Sequence, residues 1–308
     1  MSQEPPTRCD VPHDGRNLAV ETSGDRDGFP IFLLHGTPGS RSGPKPRGIV
    51  LYRLGVRLIC YDRPGYGGSD RQKGRSVSDA AADVHAIANA LGVDQFAVVG
   101  RSGGGPHALA CAASDLLIGR VTRVAVLVSL APADATGLDW FGGMTPSNVD
   151  EYTEAAEPHQ LVSMLTRRAE DTQRDPTSLI KMLEPELTPF DLRVIGDVAM
   201  RQLLTDSYAE AVRSGADGWI DDSLAFRQHW GFDPATIKVP VRLWHGARDA
   251  FSPLSHARWL ASRIENVRFD IQEDAGHFAA MEILPEILGW LATPEVRTGA
   301  GRAHGATT

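Results

Sequence analysis

The sequence predicts an α/β fold in which a mainly parallel, doubly wound sheet carries an inserted helical cap. Three observations support this prediction. Short β-branched runs alternate with stretches of helix length, which is the pattern of a parallel sheet with helices on both faces. These runs are apolar without alternation, as in strands that are buried on both faces. One long stretch, residues 132–231, contains helical patterns and no convincing strand.

The individual elements follow from these patterns in chain order. A serine and a glycine delimit the helix 78–91, in which apolar residues recur with helical spacing. Strands are predicted at 30–35, 56–61, 95–99, 121–128, 239–244 and 267–271. Further helices are predicted at 157–171, 189–204, 206–214, 255–264 and 278–291, and another begins near residue 105.

The order of these elements predicts the domain organisation. Residues 1–131 and 232–308 form a core, and residues 132–231 form the helical cap, whose helices are separated by prolines. Residues 1–16 and 294–308 are expected to be flexible tails.

The composition argues against several classes of protein. Of 308 residues, 42% are hydrophobic and 23% are charged, which is typical of a globular protein. The net charge of −8 argues against a nucleic-acid partner, and the longest apolar run, 124–131, is too short to cross a bilayer. No apolar leader is evident, so we expect a cytoplasmic protein. Three cysteines without a CxxC pair argue against disulfides and a thiolate metal site.

Charge is distributed unevenly along the chain. The cap contains 18 acidic and 8 basic side chains, whereas residues 41–75, which we call the basic segment, contain nine basic and two acidic ones. Three interpretations stay open: solvated faces that maintain solubility, attraction between cap and core, or a cap that favours a cationic substrate.

The strongest chemical signal is the G-x-S-x-G at 100–104, placed between a predicted strand and a predicted helix. This context is typical of a nucleophilic serine on a sharp turn. Glycines at 100, 103 and 104 permit such a strained turn, and the helix amino terminus offers backbone N–H groups to a developing anion. We therefore predict that Ser102 is a nucleophile.

Four further motifs accompany this turn. They are His-Gly-Thr-Pro-Gly at 35–39, Asp-Arg-Pro-Gly-Tyr-Gly-Gly-Ser at 62–69, His-Gly-Ala-Arg-Asp at 245–249 and Asp-Ala-Gly-His at 274–277. With these motifs the chain resembles the α/β-hydrolase family over nearly its whole length. The resemblance implies a cap inserted after the strand that follows the serine helix, and a catalytic order of serine, acid and histidine. The loop 62–69 resembles a structural loop of the family and is given no catalytic role.

A base and an acid are assigned from the residues and this order. His277 follows the last predicted strand, in a glycine-preceded loop that can reach the carboxyl edge of the sheet. Asp249 follows the strand 239–244, where a carboxylate can meet the other ring nitrogen of the histidine. Asp134, after the preceding strand, stays open as the alternative acid.

The resemblance also implies an oxyanion hole. Its donors are the backbone N–H groups of Gly103 and Thr37. The Thr37 hydroxyl either adds a third hydrogen bond to the oxyanion or stabilises the turn, and the sequence does not decide between these roles.

These residues predict a serine hydrolase that cleaves a carboxylic ester or lactone of a small molecule through an acyl-Ser102 intermediate. No metal and no organic cofactor is required, and no oligomeric state is indicated. Six apolar cap residues can line the substrate pocket, although packing inside the cap is the favoured role for most of them. They are Trp140, Phe141, Met144, Trp219, Phe226 and Trp230.

Two alternative functions stay open. The cap and the motif at 35–39 are similar to features of proline iminopeptidases, in which cap carboxylates hold the substrate amine; Glu184 and Glu186 are candidates. The same fold also serves small-ligand receptors and cofactor-free lyases or haloperoxidases.

Overall fold

The computed structural model describes residues 6–293, and its strands form one sheet. The strands are β1 (Thr7–His13), β2 (Arg16–Gly24), β3 (Phe29–Leu34), β4 (Val56–Tyr61), β5 (Phe96–Arg101), β6 (Val121–Leu127), β7 (Val241–Gly246) and β8 (Val267–Gln272). The predicted strands all occur, with ends shifted by at most two residues.

The sheet is mainly parallel. Its strand order is β1-β2-β4-β3-β5-β6-β7-β8, and only the pairs β1-β2 and β2-β4 are antiparallel. The carboxyl ends of β3, β5, β7 and β8 therefore lie along one edge, and the loops that follow them carry the predicted site residues.

The structure corrects the prediction for the amino-terminal tail. Residues 7–13 are not a flexible tail but the edge strand β1, which pairs with β2 along its whole length. The residues of β1 carry no strand signal, because β1 pairs on one side only and buries a single side chain, Val11. The other predicted tail, 294–308, lies outside the described residues.

The helices pack on both faces of the sheet and in the segment 132–231. They are α1 (Gly48–Arg53), α2 (Ala80–Ala90), α3 (Gly104–Ala113), α4 (Pro146–Glu154), α5 (Pro158–Arg174), α6 (Ser178–Leu183), α7 (Pro189–Ile195), α8 (Val198–Ala211), α9 (Asp217–Phe226), α10 (Leu254–Arg263) and α11 (Leu284–Ala292).

Two predicted helices are interrupted in the structure. The predicted helix 189–204 is divided into α7 and α8, because Asp197 leaves the helical conformation and its side chain caps the first turn of α8. The predicted helix 206–214 is the end of α8. The predicted helix 278–291 is a short 3₁₀ helix, Phe278–Met281, followed by α11, whose first turn contains a proline.

Two apolar layers form the core, one on each face of the sheet. Because successive side chains of a strand point to opposite faces, β3 contributes Phe32 to one layer and Ile31 to the other. Helices α2, α3 and α10 cover the first face, and α1 and α11 cover the second. The sheet interior is thus filled by packing, and its carboxyl edge remains for loops and ligands.

The segment 132–231, which we call the inserted segment, contains α4 to α9 and no strand among the described residues. Its own apolar cluster includes Leu161 and Trp219, and it continues into Phe251 and Phe278 from the loops after β7 and β8. The inserted segment therefore packs on the loops at the carboxyl edge of the sheet.

Ion pairs join the inserted segment to the basic segment. Arginines of residues 41–75 provide the cations, and carboxylates of α8 and α9 provide the anions. The pairs are Arg41–Glu210 (3.7 Å), Arg63–Asp222 (2.5 Å), Arg71–Asp217 (2.6 Å), Arg71–Asp221 (2.8 Å) and Arg75–Asp222 (2.6 Å). Of the three interpretations of the charge distribution, these contacts support attraction between the two segments.

Candidate active site

A cavity of about 90 Å³ lies where the inserted segment meets the carboxyl edge of the sheet. Ser102 and His277 both line it, and so do Thr37 and Gly103. The structure thus brings four of the five predicted site residues to one small cavity, and the fifth, Asp249, contacts His277 from behind.

Ser102 occupies a strained turn between β5 and α3. Its φ is +54°, a left-handed value that is rare for a residue with a side chain. The turn requires glycine on both sides, because a Cβ at Gly100 would lie 2.1 Å from the carbonyl oxygen of Gly104, and one at Gly104 would lie 2.2 Å from that of Leu34. The sharp turn that the G-x-S-x-G predicts is therefore present.

His277 is held by a carboxylate and by two aromatic rings. Its Nδ1 donates to Asp249 Oδ2 at 2.8 Å. The rings of Phe251 and Phe278 lie 5.3 and 5.5 Å from the imidazole, centre to centre. These contacts leave Nε2 as the nitrogen with a free lone pair. Among the described residues, no hydrogen bond joins His277 to Ser102, although both line the cavity.

Asp249 is fixed in turn by its own loop. Its Oδ1 accepts from the backbone N–H groups of Phe251 (2.8 Å) and Ser252 (2.9 Å). His245 also lies close to Asp249, with its Nε2 3.4 Å from Asp249 Oδ2. Burial lowers the pKa of His245, which favours the neutral imidazole. The alternative acid, Asp134, lines a different groove beside Trp230.

Thr37 and Gly103 lie against each other at the wall of the cavity. A Cβ built on Gly103 would be 2.2 Å from Thr37 Oγ1, so glycine is needed for this close approach. The Thr37 hydroxyl donates to Asp222 Oδ2 at 2.6 Å and accepts from Arg63 Nη2 at 3.0 Å. Because its single hydrogen is directed at Asp222, the hydroxyl stabilises the turn and does not face the cavity as a donor. This resolves the question that the sequence leaves open.

Asp222 of α9 is the centre of a buried polar network. Its carboxylate contacts Arg63 (2.5 Å) and Arg75 (2.6 Å) and accepts from Tyr66 Oη (2.9 Å) as well as from Thr37. Burial alone would raise the pKa of Asp222, but the two guanidinium groups lower it well below its ordinary value. Asp222 is therefore ionised in the folded protein.

Arg63 also fixes the backbone of the turn that carries Thr37. It donates to the carbonyl oxygens of His35 and Gly36. His35 accepts from the Arg63 N–H through Nε2 and donates to Gly36 O through Nδ1, and burial with the Arg63 charge lowers its pKa well below the ordinary value. Burial and Arg63 also lower the pKa of His107 to about 3. Both histidines are neutral members of the network.

The loop that carries His277 is also held by the inserted segment. Asp191 of α7 is buried, and its Oδ1 accepts from the backbone N–H of Phe278 at 2.9 Å. Its Oδ2 accepts from Thr188 Oγ1 at 2.7 Å. The residue that follows His277 is thus anchored to a helix of the inserted segment.

Glu151 is a carboxylate of the inserted segment that lines the cavity. Its Oε1 accepts from Trp219 Nε1 (2.8 Å) and Ser223 Oγ (2.7 Å), and its Oε2 accepts from Arg168 Nη1 (3.2 Å). Burial raises the pKa of Glu151, while these donors oppose the rise. Of the carboxylates suggested from the sequence, Glu184 pairs with Arg201 and Glu186 accepts from Ser147, and neither lines the cavity.

Comparisons with known proteins agree with this architecture. A sequence model described as the alpha/beta hydrolase fold matches residues 30–282. The chain belongs to the α/β-hydrolase fold family. The fold class predicted from the sequence is thereby confirmed.

This α/β hydrolase is similar to several named proteins. A non-heme chloroperoxidase of Streptomyces lividans is 37% identical over 247 residues, 79% of this chain and 83% of the relative. A 2-hydroxymuconate semialdehyde hydrolase of Pseudomonas putida is 30% identical over 263 residues, 83% of each chain. The enol-lactonase structure from Burkholderia xenovorans LB400 has a TM-score of 0.66 at 20% identity, and the match covers 92% of this chain and 96% of that one.

Two further features of this α/β hydrolase concern metals and membranes. Within residues 6–293, no cluster of three or more histidine, cysteine or carboxylate side chains is arranged to hold a metal ion. In the same residues, no helix has the length and hydropathy needed to span a membrane.

Sequence reasoning missed most of the polar groups around the cavity of this α/β hydrolase. Asp222, Asp191 and Glu151 have no motif, and only the acidic excess of the inserted segment pointed to them. Arg101 was within the serine motif and could have been singled out as a charge beside the nucleophile. Of the six apolar residues considered for the pocket, Trp219 lines it, whereas Trp140, Phe141, Met144, Phe226 and Trp230 pack in or against the apolar layer that contains Phe32.

We expect Asp222→Asn to lower the free energy of unfolding by about 3–5 kcal/mol, because it leaves Arg63 and Arg75 buried without their counter-charge. Asp217→Asn on the same helix is the matched control. Its ion pair with Arg71 joins side chains that are 48% and 32% exposed, so its loss should cost less than about 1 kcal/mol. Urea unfolding followed by circular dichroism measures both values, and equal losses would contradict the role of the network.

Proposed function

We propose that this protein is a serine hydrolase that cleaves a carboxylic ester or lactone of a small molecule through an acyl-Ser102 intermediate. One observation carries the proposal: Ser102 on its strained turn faces the same cavity as the imidazole of His277, whose Nδ1 is held by Asp249. A hydroxyl, a base with a free nitrogen and an orienting carboxylate are the components of nucleophilic acyl transfer.

The proposed reaction begins with acylation. His277 Nε2 takes the proton of Ser102 Oγ as this oxygen attacks the substrate carbonyl, and the backbone N–H groups of Thr37 and Gly103 stabilise the oxyanion. The tetrahedral intermediate collapses when the imidazolium returns the proton to the leaving alcohol. Water, deprotonated by His277, then attacks the acyl carbon, and the bond from this carbon to Ser102 Oγ breaks as the imidazolium returns its proton to Oγ, which releases the acid and restores the hydroxyl. The hydrogen bond between His277 and Ser102 is expected to form when substrate closes the site, since such bonds are often long in free enzymes.

We propose in addition that the inserted segment is a cap and that residues 1–131 and 232–308 are the core. The cavity is lined from both parts, for example by Ser102 of the core and by Tyr152 and Leu183 of the inserted segment. In this organisation the cap excludes water and selects the substrate, while the core provides the reacting groups.

The charges around the cavity favour an ester or lactone over an aminoacyl substrate. An aminopeptidase of this kind needs a free carboxylate for the substrate amine. Glu151, the cap carboxylate that lines the cavity, is already paired with Arg168 and two further donors. The names of two relatives, a hydrolase and an enol-lactonase, also fit hydrolysis of a small molecule.

A second candidate function is peroxide-dependent chlorination, because a relative with 37% identity is named a non-heme chloroperoxidase. One panel separates the candidates. Ethyl esters of increasing acyl length and simple lactones test the proposed function, proline 4-nitroanilide tests aminopeptidase activity, and chlorination of monochlorodimedone with peroxide and chloride tests the second candidate. Turnover of the arylamide or of monochlorodimedone, without ester or lactone turnover, would displace the proposed function.

Substitutions of the three proposed catalytic residues test the mechanism. On an ester that the protein hydrolyses, Ser102→Ala and His277→Ala should each lower kcat by a factor on the order of 10^6, because nucleophile and base act as a unit. Asp249→Asn should lose roughly 10^4, because the imidazole then takes the wrong tautomer. The double Ser102/His277 variant should be hardly slower than either single variant. Retention by Ser102→Ala of more than a few per cent of the wild-type rate, with an unchanged melting temperature, would rule out the acyl-enzyme route.

The contacts of Thr37 predict a difference between two small substitutions. Thr37→Val preserves the shape of the side chain but removes the hydroxyl that contacts Asp222 and Arg63, so the proposed oxyanion donor loses its anchor. We expect kcat to fall about tenfold to a hundredfold with little change in KM, because a loosely held donor stabilises the transition state less. Thr37→Ser preserves the hydroxyl and should stay within about threefold of the wild type. The reverse order of the two variants would show that the hydroxyl does not hold the turn.

A further inference from the structure

Arg101 immediately precedes Ser102 and lines the same cavity. Its guanidinium group donates a long hydrogen bond of 3.3 Å to the carbonyl oxygen of Pro44. Within residues 6–293, no carboxylate oxygen comes within ion-pair distance of it. Burial lowers the pKa of Arg101, and the groups that oppose this change are the weak acids Tyr208 and Cys60 rather than a carboxylate. The cavity thus contains a cation whose charge is not matched by the protein.

This situation distinguishes Arg101 from other arginines near the site. Arg63 and Arg75 share Asp222, and Arg168 pairs with Glu151. Removing a guanidinium group from bulk water without a counter-ion is unfavourable, so an unmatched cation in a cavity is typical of a group that meets its counter-ion in a ligand.

Neutral polar groups lie close to Arg101. Tyr208 lines the cavity, and its hydroxyl makes no hydrogen bond to another residue of the described chain. Burial raises the pKa of Tyr208 to about 12, although the nearby charge of Arg101 opposes this rise. Ser207 also lines the cavity. Its hydroxyl and the Arg101 guanidinium group both lie next to Gly43, because a Cβ built on this glycine would be 3.0 Å from Ser207 Oγ and 3.7 Å from Arg101 Nη2. One charged and two neutral donors are thus gathered on one side of the cavity.

We propose that Arg101 binds a carboxylate of the substrate, so that the substrate is a small ester or lactone that also carries a free carboxylate. This inference rests on the proposed hydrolase function. A carboxylate fits the planar fork of a single guanidinium group and a cavity of about 90 Å³. Because Arg101 and Ser102 both line this small cavity, a short substrate held by Arg101 can present its carbonyl to Ser102.

A pair of matched substrates tests the proposal. Monoethyl succinate carries a carboxylate where ethyl 4-methylpentanoate carries an isopropyl group of similar size, and proton release in a pH-stat follows the hydrolysis of both esters. We expect the wild type to prefer the succinate ester in kcat/KM. Arg101→Gln should reduce this preference about tenfold to a hundredfold, the range for a hydrogen bond to a charged group. Arg101→Lys should fall between, because it preserves the charge and loses the fork.

Two controls accompany these variants. Arg174→Gln makes the same change in net charge on the outer surface, where Arg174 is 71% exposed, and should not alter the preference. Binding of succinate to Ser102→Ala protein, measured by calorimetry, needs no turnover and should be lost when Arg101→Gln is added. Melting temperatures establish that each variant is folded; if Arg101→Gln is not, Arg101→Lys carries the comparison.

The outcomes separate the inference from the function on which it rests. In one outcome the wild type hydrolyses both esters, Arg101→Gln and Arg174→Gln prefer the succinate ester to the same degree, and succinate binding does not depend on Arg101. The proposed anion site is then wrong, and the proposed hydrolase function stands. If neither ester nor any other ester or lactone is hydrolysed but succinate binds through Arg101, the hydrolase is wrong and the anion site stands.

Discussion

The carboxylate of Asp222 joins the inserted segment to the core beside the proposed oxyanion hole. It is completely buried and takes hydrogen bonds or ion pairs from Thr37, Arg63, Tyr66 and Arg75. A buried charge is tolerated only where other groups replace its water, and two guanidinium groups and two hydroxyls do so here. Because all four lie outside the inserted segment, α9 cannot move away without leaving opposite charges unmatched. The turn that carries Thr37 and helix α9 therefore form one structural unit.

A second buried aspartate gives the same kind of support to the other side of the cavity. Asp191 of α7 holds the backbone N–H of Phe278, next to His277, while Asp222 of α9 holds the side chain of Thr37. The proposed base and the proposed oxyanion donor thus both depend on helices of the inserted segment. The inserted segment lines the cavity and also positions the groups around it, so its substitutions are expected to affect rate as well as substrate choice.

The features that could be predicted from the sequence are those with local signals. The buried strands are continuous apolar runs, and the turn at Ser102 is specified by glycines within two residues of it. The edge strand β1 and the break between α7 and α8 have weak local patterns, because an exposed strand needs no apolar face and a single capping residue divides a helix. Asp222 could not be singled out, because its partners Thr37 and Arg63 are more than 150 residues away in the chain.

The charge of a segment also differs from the charge that it presents to a ligand. The inserted segment is strongly acidic, but its carboxylates on α8 and α9 face arginines of the basic segment, and Glu151 faces Arg168. Within the described residues that line the cavity, the cation without a carboxylate partner is Arg101, at the end of β5. The acidic composition therefore supplies the anionic partners in the contact between the two segments, and the anion site proposed at Arg101 is separate from it. Because these carboxylates are already paired with arginines, the net charge of the inserted segment does not predict the charge of the substrate.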